Sequence, residues 1–138
     1  MKKLIVSMFV TVFSVFSINA FAASGKAIVS HWSYEGSTPN AIYVTNITDN
    51  DLAVSVTIYN KDGGVVNPTT VTNFQNSNTE VAAGKTGYVT VQSSNYGYAV
   101  IQWTNLGTDD DVYGLVAFAQ RGNTTWHYAV PVNSGNPF

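Results

Sequence analysis

The sequence predicts an all-β chain: a two-sheet antiparallel β-sandwich, immunoglobulin- or fibronectin-like, of about eight strands, behind a removable N-terminal leader. Three observations predict it. Beyond residue 22 the chain holds 20 Val and Ile against 3 Leu. Branched side chains lose rotamer freedom in a helix but pack well on a pleated surface. Ser, Thr and Asn supply 36 of the same 116 residues, and these types favour turns and compete with helical hydrogen bonding. Apolar residues nowhere hold a helical period for more than about two turns, whereas short alternating runs recur at roughly 8–12-residue spacing, as in a sandwich.

The leader is read from Met1-Lys2-Lys3, a basic start, followed by the apolar stretch Leu4 to Ile18 and the small-x-small site Ala20-Phe21-Ala22. That order is the pattern of an export signal, with Ala23 as the expected mature N-terminus. The apolar run is short for a span of ~20 residues, so no membrane span is expected after cleavage. The domain organisation is therefore 1–22 signal peptide and 23–138 a single β-sandwich domain, in a bacterial protein that is secreted or periplasmic. The exported part has 4 Lys and Arg against 8 Asp and Glu, a net charge of −4, which excludes the basic footprint of a nucleic-acid binder. There is no cysteine, so no disulfide framework, redox pair or cysteine zinc site exists.

The strands follow in order. Ala27 to Tyr34 and Ala41 to Thr45 come first. Leu52 to Asn60 alternates cleanly, with Leu52, Val54, Val56 and Ile58 on one face and Ala53, Ser55, Thr57 and Tyr59 on the other, so one face is buried and one wet. Asp62-Gly63-Gly64 is a tight turn, because glycine takes positive φ freely. Val65 to Phe74 is interrupted by Pro68, which marks an edge or bulged strand, and Gln75 to Thr79 is a polar loop. Thr86 to Gln92 places Tyr88 on a face with Thr86 and Thr90. Tyr98 to Trp103, Tyr113 to Gln120 and Thr125 to Val132 complete the set. In Tyr113 to Gln120 both faces are largely apolar, which suits a central strand or a subunit interface. A membrane barrel, which the terminal Phe138 brings to mind, is disfavoured by Ser55 and Thr57 on the second face and by Pro137.

Candidate chemistry is sparse. His31 and His127 sit among aromatics, in His31-Trp32-Ser33-Tyr34 and Trp126-His127-Tyr128, on strands that would pair in space as a metal or acid/base pair. No ligand spacing supports zinc, and half-exposed strand histidines are the plainer reading. Asp109-Asp110-Asp111 lacks the calcium-loop spacing and reads as a solvated hairpin tip, as does Thr48-Asp49-Asn50-Asp51. Glu35 and Glu80 are the only glutamates and form no evident glycosidase pair. With no G-x-S-x-G elbow and no phosphate-binding glycine loop, the chain is expected not to be an enzyme, to carry no catalytic or metal residues and to need no cofactor. The aromatics remain. Tyr and Trp pair an apolar body with a polar tip and concentrate at contact surfaces. Trp32, Tyr34, Tyr96, Tyr98, Trp126, His127 and Tyr128 are the candidate ligand or partner surface, while Trp103, alternating with Gln102 alongside Ala99 and Ile101, is expected in the core.

Ile42-Tyr43-Val44-Thr45-Asn46, Val54-Ser55-Val56-Thr57-Ile58-Tyr59 with Asp62-Gly63, and Tyr98-Ala99-Val100-Ile101-Gln102 together resemble the sensory-rhodopsin-transducer-like family. The ending Tyr128 to Phe138 is similar to those of small secreted bacterial β-sandwich proteins of unassigned function. The resemblance implies a small sandwich that oligomerises and binds ligands. It assigns no functional residue, and the export signal departs from the cytosolic transducers. The expected function is contact: self-association or engagement of a surface partner, protein or glycan. The alternatives are a carbohydrate-binding module using exposed Tyr and Trp, and a small metal-dependent hydrolase around the two histidines.

Overall fold

A computed structural model describes residues 23–34, 38–93, 95–122 and 127–138. The described residues form ten strands in two antiparallel sheets: β1 (Ser24–Ser33), β2 (Asn40–Asn46), β3 (Leu52–Asn60), β4 (Val65–Val66), β5 (Thr70–Thr72), β6 (Glu80–Val81), β7 (Thr86–Val91), β8 (Tyr96–Asn105), β9 (Leu115–Gly122) and β10 (His127–Pro131). The first sheet runs β1-β8-β3-β4, with β6 also on β3; the second runs β10-β9-β2-β7-β5. Among the described residues no helix is long and apolar enough to cross a membrane.

The period-2 pattern builds the core directly. Ala27, Val29 and Trp32 of β1, Leu52, Val54 and Ile58 of β3, and Ala99, Ile101 and Trp103 of β8 are buried. They face Ile42 and Val44 of β2, Val89 and Val91 of β7, and Leu115, Ala117 and Ala119 of β9. Trp103 is in the core at 2% exposure. Its indole Nε1–H donates to the Phe138 oxygen at 2.6 Å, and that oxygen also accepts from the Gly114 and Leu115 amides. Residues 132–138 are thus tied across one end of the sandwich.

The connections differ from the sequence expectation in three places. Val65 to Phe74 is not one strand: β4 pairs with β3 in the first sheet and β5 with β7 in the second. Pro68 lies in the crossing, where its missing N–H ends the ladder. Thr48 to Asp51 and Asp109 to Asp111 are not hairpin tips, because β2 and β3, and likewise β8 and β9, belong to different sheets. Asn46, fully buried, organises the first of these crossings. Its Nδ2 donates to the Asn50 and Val81 carbonyls, and its Oδ1 accepts from the Thr48 amide and hydroxyl. Asp111 is held in the second crossing by Asn50 and Asn105. Thirdly, the strands of His31 and His127 do not pair: β1 bonds only to β8, and β10 only to β9.

Candidate contact face

The outer face of the first sheet is graded along its length by the residues that alternate with the core. Its central row is Ile28, Val100 and Thr57, directly opposite one another in register. The next row is Tyr98, Tyr59 and Val65. Tyr59 and Tyr98 are cross-strand neighbours, and their rings stack with centroids 4.9 Å apart and planes 12° from parallel. Directly opposed aromatic pairs are a main stabilising unit of a sheet. Beyond them Tyr96 lies 6.3 Å from the His31 ring. Ile28 is 57% exposed, Val65 66%, Tyr96 52% and Tyr98 39%, so large apolar side chains gather exposed on this one face, as they do at interaction sites.

The face is held from beneath. Trp32, expected on the surface, is a correction: it is completely buried, and its Nε1–H donates to the carbonyls of both Tyr59 (2.9 Å) and Tyr98 (3.1 Å). The register shift between Val29 and Trp32 in β1 turns the indole inward, as a bulge re-aims a side chain. Gly97 allows the close approach of β8 to β3 at this point, since a Cβ there would meet the Tyr59 oxygen at 1.9 Å. Next to the patch, Lys61 and Asp62 pair at 2.8 Å, both exposed. The hydrogen bond and charge of Asp62 raise the Lys61 ammonium above its ordinary pKa, so this edge adds no net charge.

The other expected surface residues divide. Tyr34 is half-buried, its amide bonded to the Asn95 carbonyl. His127 and Tyr128 are exposed on β10, an edge of the second sheet, apart from Tyr96 and Tyr98 on the first. Trp126 and Glu35 lie outside the described residues. Sequence reasoning missed Ile28, Tyr59, Val65 and Val100. The alternation of Leu52 to Asn60 does place Tyr59 outward, but the β1-β8-β3 order that sets it beside Tyr98 is not a local signal.

The outer face of the second sheet carries a second aromatic row, Phe118, Tyr43 and Tyr88 in register on β9, β2 and β7. Tyr43 stacks on Phe118 at 4.7 Å and meets Tyr88 at 5.2 Å. Stacking occupies one face of Tyr43 and one of Phe118. The same geometry takes one face of Tyr98. Among the described residues no three His, Cys, Asp or Glu side chains converge as metal ligands. Comparisons with protein-family models, curated proteins and solved structures found no match to this chain.

Proposed function

We propose that this is an exported, non-enzymatic binding domain that works by contact, and that the outer face of its first sheet associates with a second copy of the chain. The observation that carries the reading is the uncharged cluster of Ile28, Val100, Tyr59, Tyr98, Val65 and Tyr96 in adjacent rows of one sheet. A two-fold interface sets the same residues of both copies against each other. A patch without net charge accepts this with no like-charge repulsion.

Sedimentation velocity tests it. The expected result is a concentration-dependent dimer that becomes a monomer in Ile28→Lys, with the thermal midpoint of the monomer unchanged because Ile28 packs on nothing in the core. A strict monomer at high concentration, or a dimer that survives both Ile28→Lys and Tyr98→Lys, overturns it.

A further inference from the structure

At the opposite end of the same face the rows become polar and form a groove. Lys26, Gln102 and Ser55 lie side by side on β1, β8 and β3, and Ser24, Thr104 and Ala53 form the next row. Two strand spacings and one two-residue repeat give a floor of roughly 10 by 7 Å. One wall is the turn Asn76 to Thr79, fixed to the sheet by the Val54 amide donating to the Thr79 carbonyl at 2.8 Å. The groove is open to solvent, with a volume of about 530 Å³.

The wall is held in an unusual conformation. Asn76, Ser77 and Asn78 have φ of 46°, 61° and 68°, three successive left-handed residues with no glycine among them. Such backbone is unfavourable for L-residues and persists only where the surroundings enforce it. Here they do: Thr79 N–H donates to the Gln75 carbonyl at 3.0 Å, the Thr79 hydroxyl donates to the Asn76 carbonyl at 2.7 Å, and Asn76 Nδ2 bonds Glu80. The strained turn sets Asn78 and Thr79 against the groove.

The lining is chemically selective. It offers the hydroxyls of Ser24, Ser55 and Thr104, the Thr79 hydroxyl as an acceptor, the amides of Asn78 and Gln102, and the Lys26 ammonium; among the described residues no carboxylate lines it. Hydroxyls and amides both donate and accept, which suits a polyhydroxylated ligand. The single ammonium adds a place for one carboxylate. The exported part is acidic, with net charge −4, so a densely charged polyanion is repelled at long range far more than a singly charged sugar. We infer that the groove floored by Lys26, Gln102 and Ser55 and walled by Asn78 and Thr79 binds a short uronic-acid sugar, its carboxylate on Lys26 and its hydroxyls on the amide and hydroxyl lining. The groove row of Lys26, Gln102 and Ser55 adjoins the Ile28, Val100 and Thr57 row of the proposed self-association, but the sugar reading rests on the polar lining alone.

Calorimetric titration of the purified protein with a glucuronosyl-glucose disaccharide, which carries one carboxylate, and with a neutral glucose disaccharide tests it. The acidic sugar is expected to bind saturably and about tenfold tighter than the neutral one, the increment of a charge-assisted hydrogen bond. Lys26→Gln is expected to abolish that preference, and Gln102→Ala to weaken both sugars about fivefold or more. Both side chains are exposed, so the fold and the sedimentation profile stay unchanged. No binding of either sugar, equal affinity for both, affinity unaltered in Gln102→Ala, or full displacement by equimolar acetate overturns the inference.

Discussion

Trp32 determines more of the candidate contact face than any residue exposed on it. Its neighbours His31 and Tyr34 give it the look of a surface aromatic, yet the bulge in β1 carries the indole inward, where it pins the two carbonyls under the stacked Tyr59 and Tyr98. Replacing it removes one donor from two acceptors and opens a gap. Trp32→Phe is therefore expected to destabilise the protein by about 3 kcal/mol, read from urea midpoints at unchanged m-value. A loss below about 1 kcal/mol would show that water or rearranged strands satisfy those carbonyls. The tyrosine pair is expected to loosen in the same variant, and near-ultraviolet circular dichroism monitors it. Asn46 teaches a similar lesson at the other end of the molecule. As one Asn among many in a turn-rich sequence it is inconspicuous, but three of its four hydrogen bonds are used inside the crossing from β2 to β3 and the fourth ties that crossing to Val81 of β6.

Among elements, the turn Gln75 to Glu80 departs furthest from ordinary backbone. Read from sequence, Gln75 to Thr79 is a polar loop, and polarity is all that composition reports. The structure gives it a left-handed course closed by the Gln75–Glu80 bridge. Ser77→Val puts a β-branched residue into that course and is expected to lower stability by about 1–2 kcal/mol, while Ser77→Gly changes it by no more than about 0.5. Thermal melts of the two variants check this; equal midpoints would mean that the left-handed course is absent in solution. The long strands were legible element by element. Leu52 to Asn60 alternates so regularly that its bounds and both faces agree with β3, and Ala99, Ile101 and Trp103 fall inward as read. The short strands were not: β4, β5 and β6 have two or three residues each, too few for a period to show, and Pro68 signals an interruption without saying that the chain changes sheets there.

At the scale of the molecule, nearly every connection crosses between the sheets, and partners lie far apart in sequence. Ser24 faces Thr104, and Asn40 faces Arg121. Loop-closure entropy must be overcome before such pairs form, so refolding from urea is expected in the millisecond-to-second range and not in microseconds. Stopped-flow Trp fluorescence measures it, and a microsecond main phase would contradict the topology.

The sequence by itself determined the class of the fold and the inward set of each long strand, because residue type and period-2 alternation are local properties that the solvent reads directly. It could not determine which strands become neighbours. Pairing β1 with β8 and β8 with β3 brought Ile28, Tyr98 and Tyr59 into one patch and Lys26, Gln102 and Ser55 into one groove, and sent His31 and His127 to different sheets. Those neighbourhoods are set by which arrangement of all the strands buries their apolar faces together, a sum over the whole chain that no single segment encodes.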